Sequence, residues 1–203
     1  MSMILTHWPL SFVCAAMILA AVIDGWKLKV PNWLTFPLVL SGWALGLYND
    51  AAHGWGWSAA GDGGIGAALA GTGVGFALLL PIYAIGGMGA GDVKMQMGFG
   101  SWIGAFFSIA GGALWIILWA FFLAVLIGGI IALGMIIVRR RFGENLVNAQ
   151  EILGDLLHAK GISEIAEKAA KRKSRLHLLP YGIPLCLGFI SCLLILEQLG
   201  KGQ

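Results

Sequence analysis

Charge is what this chain has little of. Its 203 residues include 13 Lys and Arg and 10 Asp and Glu, so 11% are charged against 59% apolar. A soluble domain carries about 25% charged residues. This chain has too few to cover a soluble surface. That excludes an ordinary soluble enzyme, a disordered tail and a nucleic-acid-binding module, and it points to a polytopic membrane protein. Cysteine is scarce too: Cys14, Cys186 and Cys192 all sit in apolar runs, with no CxxC pair and no Cys/His cluster. Neither a disulfide framework nor a zinc site is indicated, and no cofactor or metal is expected. No GxxxxGK[ST] phosphate loop is present, and the glycines of 86–91 lie outside any soluble βαβ pattern.

The few charges cut the sequence into long apolar blocks. Met1–Ile23 has no charged side chain, and Val30–Asn49, Gly63–Gly91, Met95–Val138 and Leu176–Leu196 run 20, 29, 44 and 21 residues without Asp, Glu, Lys or Arg. A spanning helix needs about 20 apolar residues. Four blocks supply one span each. The 44-residue block fits two, with a turn near Gly111 and Gly112. The expectation is an all-α protein of six transmembrane helices, near 4–24, 32–49, 63–86, 94–110, 113–138 and 179–197. Residues 1–203 form one membrane domain. Met1–Ile23 lacks a basic start and a clear cleavage site, so it reads as the first span rather than a signal peptide.

Basic residues set the orientation. Loops rich in Lys and Arg stay in the cytoplasm. Lys27 and Lys29 follow span 1, Lys94 follows span 3, and nine basic residues from Arg139 to Arg175 follow span 5. Six spans put all twelve on one side, with only Lys201 opposite. Both termini are then expected outside, in the periplasm of a bacterial cell. The loop over 139–177 is itself amphipathic and basic. Ala149, Ile152, Leu153, Leu156 and Leu157 share one helical face, and Lys171–Arg175 suits an anionic lipid surface. Membrane lipid is thus an expected partner and nucleic acid is not. The glycines from Gly61 to Gly75 put small residues along span 3, where they let helices pack closely.

Most acidic residues fall in polar segments. Glu144, Glu151, Asp155, Glu164 and Glu167 belong to the basic loop. Asp50 and Asp62 are expected on an external loop with His53, and Glu197 near the external end of span 6. Asp24 and Asp92 remain, both at cytoplasmic ends of spans. Each alone could be a helix cap or dipole partner. Together at one membrane face they suggest more. Two carboxylates in a partly dry site share one proton. Such a pair can take a proton from water as it attacks a carbonyl, and stabilise the oxyanion that forms.

The contexts of these two residues carry a family resemblance. Gly89–Lys94 matches the GxGD signature of intramembrane-type aspartic proteases, continuing into Val-Lys. Ile23–Thr35, with Asp24, Pro31, Asn32, Leu34 and Thr35, resembles the first-aspartate region of type IV prepilin peptidases. Leu179–Pro184, reading Leu-Pro-Tyr-Gly-Ile-Pro, resembles the segment opening that family's last span. The resemblance covers about 20–190. It implies a membrane endopeptidase that cuts the basic leader from prepilins or prepilin-like proteins at the cytoplasmic face of the inner membrane. It implies Asp24 and Asp92 as the catalytic pair. Gly89 and Gly91 would be the flexible, close-approach backbone, able to reach positive φ beside Asp92. Positioning roles fall to Pro31, Asn32, Lys94 and Pro180. Pro31 and Asn32 would end span 1 and restart a helix. Lys94 would either raise the local positive potential or only mark topology. The cysteine-rich N-terminal domain of larger members is not seen, so the chain resembles the short form found with tight-adherence pili, without methyltransferase activity. The competing expectation is a small transporter or membrane scaffold whose aspartates relay protons or pack.

Overall fold

A computed structural model describes residues 3–27, 29–84, 87–139 and 181–201. These form seven helices and, among the described residues, no strand. They are α1 (Met3–Thr6), α2 (Trp8–Lys27), α3 (Asn32–Trp55), α4 (Ile65–Ala84), α5 (Ala90–Phe107), α6 (Ala113–Arg139) and α7 (Gly182–Lys201). Pro180 and all but Arg139 of the loop expected at 139–177 lie outside the described residues.

Four helices are long and apolar enough to cross a membrane: Trp8–Lys27, and the segments Ile65–Ala84, Ala113–Met135 and Gly182–Gly200. Four such helices fit a multi-pass membrane protein. The other two long helices are α3, with 24 residues, and α5, with 18. Both carry polar side chains that lower their hydropathy. In α5 these are Asp92, Lys94 and Gln96; α3 carries Asn32, Asn49, Asp50 and His53.

Local chemistry explains the boundaries. Val30 precedes a proline, which disfavours the helical region, so α2 does not run into α3. Pro31 takes extended backbone (φ −75°, ψ 146°) as the N-cap of α3. The helix thus restarts there as expected, though the proline stands just outside the first helical residue, and its carbonyl accepts the N–H of Leu34 at 3.1 Å. Gly56, at φ +72°, closes α3 in the left-handed region, where glycine has no steric cost. The turn expected near Gly111 and Gly112 is present, with Gly112 at φ +84°.

The helix at the centre is α5. Thirteen of its 18 residues are buried, and it packs against α2, α3, α4, α6 and α7. It runs parallel to α3: Val30 lies on Gly91, Asn32 on Lys94, Leu38 on Gly98 and Asn49 on Ala105. It runs antiparallel to α4, where Gly71 meets Gly100 and Gly75 meets the Gln96 carbonyl. A Cβ at Gly71 would overlap the Gly100 oxygen, while Gly66 and Gly73 face open space. Close packing therefore accounts for Gly71 and Gly75 but not for every glycine of α4. In turn, α7 runs antiparallel to α6, pairing Cys192 with Ile116, Gly188 with Ala124 and Pro184 with Gly128. The end of α2, the starts of α3 and α5 and the start of α7 thus share one end of the bundle.

The opposite end is cross-linked by Asn49, which is fully buried. Its Nδ2 donates to the carbonyls of Gly63 (3.0 Å) and Ala105 (2.9 Å), and its Oδ1 accepts the Ala60 N–H at 3.0 Å. Asp50 and His53 were expected on the external loop; both lie in the last turns of α3 instead. Asp50 accepts the Ile65 N–H at 2.9 Å and so caps α4 from a neighbouring helix, which a hydropathy profile cannot register. Asp62 is exposed on the 56–64 connection, as expected.

Candidate functional site

Asp24 stands in the last turn of α2, and only 3% of it is exposed. Its Oδ2 accepts the N–H of Gly182, the first residue of α7, at 2.8 Å. The first N–H groups of a helix have no partner within it, so the start of α7 gives this carboxyl a fixed donor. The backbone there lies directly on Asp24: a Cβ at Gly182 would sit 2.9 Å from both Cβ and Oδ2 of Asp24.

Asp92 is the third residue of α5 and is 6% exposed. Its Oδ2 accepts the N–H of the N-cap residue Gly89 at 3.2 Å. This is one half of a capping box, and it orients the side chain back over the helix start. The neighbouring Gly91 is pressed onto the α2–α3 connection. A Cβ there would lie 2.8 Å from the Val30 carbonyl oxygen and 3.1 Å from its nitrogen. Close approach is thus the use of Gly91. The expected positive φ is not found: Gly89 is extended at φ −82°, and Gly91 is helical. The helix starts before the aspartate, so ordinary dihedrals suffice.

Asn32 and Lys94 are brought together. The Lys94 Nζ donates to Asn32 Oδ1 at 2.9 Å and lies 4.5 Å from the centroid of the Phe36 ring. That ties the start of α5 to the start of α3, while a cation over a ring face gains further attraction. Both contacts hold Lys94 on α3. Pro31 caps α3 beside this pair, and Pro180 lies outside the described residues.

Residues that sequence reasoning did not single out complete the site. Tyr181 is half-buried, directly before Gly182, and its carbonyl accepts the Leu185 N–H at 3.1 Å. Burial, and then the negative charge of Asp92, hold its phenol above the ordinary range. Tyr181 and Gly182 therefore lie beside Asp24, and the phenol feels the charge of Asp92. Thr35 and Gln96 are 1% and 2% exposed. Neither Thr35 Oγ1 nor Gln96 Nε2 has a hydrogen-bond partner among the described residues. Buried polar atoms of this kind are uncommon away from functional sites. The register of α3 on α5 puts both about one turn deeper than Asp92. Tyr181, Gly182 and Thr35 belong to the motif segments quoted above, whereas nothing in the sequence marked Gln96. Among the described residues, no group of three or more His, Cys, Asp or Glu could hold a metal ion.

The described bundle defines a class: a helical membrane protein with two buried carboxyls at one end of the bundle, each held by a backbone N–H at a helix start. The model of the type IV leader peptidase family matches residues 11–133, a stretch that includes both aspartates. The chain belongs to the type IV leader peptidase family. Membership implies a protease, a hydrolase acting on prepilin-type substrates. No curated protein and no solved structure matches the chain.

Proposed function

We propose that this protein is an aspartic endopeptidase that removes the N-terminal leader of type IV prepilins or prepilin-like proteins. In this reading all six long helices cross the bacterial inner membrane. The end that carries Asp24 and Asp92 faces the cytoplasm, and both termini face the periplasm. The low hydropathy of α5 is compatible with a crossing helix, because its polar face is enclosed by five other helices. Its 18 residues reach about 27 Å, close to the roughly 30 Å of a hydrocarbon core.

The observation that carries the reading is the burial of Asp24 and Asp92 at one end of the bundle, each accepting a backbone N–H at a helix start. The chemistry follows from sharing one proton between them. The carboxylate takes a proton from water as the water oxygen bonds to the scissile carbonyl carbon. The carbonyl π pair moves to its oxygen, where the protonated carboxyl donates. When the C–N bond breaks, the amine leaves with a proton from the pair. Gly89 and Gly91 position Asp92, while Pro31, Asn32 and Lys94 fix α3 beside it. A position at one bundle end also separates this reading from a transporter, whose coupling sites lie near the membrane midplane.

The test is cleavage of a co-expressed prepilin-type substrate in membranes. Asp24→Asn and Asp92→Asn should each abolish cleavage while the protein still accumulates. Asp62→Asn, exposed at the opposite end, should cleave normally. Full cleavage by either of the first two contradicts the two-carboxyl mechanism.

A further inference from the structure

We propose that Tyr181 is a third polar residue of the active site, whose phenolic hydroxyl donates a hydrogen bond to the substrate carbonyl oxygen as it becomes an oxyanion. This rests on the two-aspartate reading above and adds a residue to it.

The placement comes from both sides of the site. Gly182 is fixed on Asp24 by a 2.8 Å hydrogen bond. Its neighbour Tyr181 is therefore held beside that carboxyl, and the bond from Leu185 makes it the cap of α7. The Tyr181 side chain packs against the main hydrophobic core instead of turning out to solvent. Its phenol is close enough to Asp92 to feel that charge. Tyr181 thus sits at the end of the bundle that carries both aspartates, directly before the residue bonded to Asp24.

The reaction needs a donor there. Attack by water places negative charge on the carbonyl oxygen, and a preorganised donor aimed at that charge is worth most in a dry site. Several donors around the aspartates are already engaged. The Gly182 N–H is given to Asp24, the Gly89 N–H to Asp92 and the Lys94 ammonium to Asn32, and Pro184 has no N–H. A neutral phenol can serve without adding charge, and its surroundings keep the proton on it. Tyr181 transfers no proton in this scheme. The water proton goes to a carboxylate, and the departing amine takes its proton from the pair.

Tyr181→Phe removes only the hydroxyl and keeps the ring in the core. The full chain is reconstituted in vesicles of bacterial phospholipid, with a synthetic peptide spanning a prepilin-type leader junction as substrate. The expected result is a kcat lower by about 100-fold, with KM within twofold and an unchanged unfolding temperature. A kcat within twofold of wild type overturns the proposal. So does a loss confined to KM or accompanied by a lower unfolding temperature, since packing alone explains either. Asp24→Asn and Asp92→Asn are assayed alongside. If both are inactive and Tyr181→Phe is normal, only the role of Tyr181 falls. If they cleave, the two-aspartate reading falls and this role with it.

Discussion

Replacing Gly182 with alanine adds a single methyl group where the start of α7 lies directly on Asp24. The new Cβ would lie 2.9 Å from Asp24 Cβ and Oδ2 and 3.2 Å from its Cγ, whereas ordinary contact begins near 3.4 Å. Either the start of α7 or the Asp24 side chain must give way by about 0.5–1 Å, and misplacement on this scale costs up to about 100-fold in rate. The accompanying overpacking costs about 1–3 kcal/mol, too little to unfold a typical domain. Gly182→Ala should therefore accumulate normally and cleave at least about tenfold more slowly, with the deficit in kcat. The control is Gly25→Ala, directly beside Asp24 in sequence. Its Cβ would meet only Ile183 Cδ1, at 3.4 Å, and its rate should stay near wild type. Rates are read from the mobility shift of a prepilin-type substrate over time in isolated membranes. Equal, wild-type rates for both variants would refute the claim that Asp24 is positioned by the start of α7.

Other consequences follow from the packing. Asn49→Ala takes the side-chain partner from the Gly63 carbonyl and the Ala60 N–H, while the Ala105 carbonyl keeps the Gly63 N–H, and it should destabilise by about 2–6 kcal/mol, since each of the two lost partners costs roughly 1–3 kcal/mol; thermal unfolding in detergent reads this. Gly71→Ala drives a methyl group into the Gly100 carbonyl and should lower the unfolding temperature, while Gly73→Ala, facing open space, should match or slightly exceed wild type, as alanine favours a helix.

Hydropathy located the long helices well because lipid-facing surface must be apolar wherever it lies in the chain. It misplaced the start of α5, expected at 94 and found at Ala90. Hydropathy breaks at the charges Asp92 and Lys94, but a helix start accepts an aspartate at its third position as a cap partner. For the same reason α3 continues past 49 to Trp55: Asn49 and Asp50 look like a loop in sequence and act as cross-links in the fold. The two aspartates were legible because so few charges compete with them. The role of Gly182 was not, because its bond to Asp24 spans 158 positions and no local pattern encodes that contact. Gln96 stayed hidden as a polar residue in an apolar run, visible only once α3 and α4 pack around it.

The most direct measurement uses the purified protein in phospholipid vesicles, with a synthetic leader-junction peptide and no other component. Wild type, Asp24→Asn, Asp92→Asn and the double variant are compared at equal folded concentration, verified by helical circular dichroism. The two-carboxyl account predicts cleavage by wild type alone, with the double variant no worse than either single one, since the pair acts as a unit. Peptide cleavage by either single variant at the wild-type rate would contradict it.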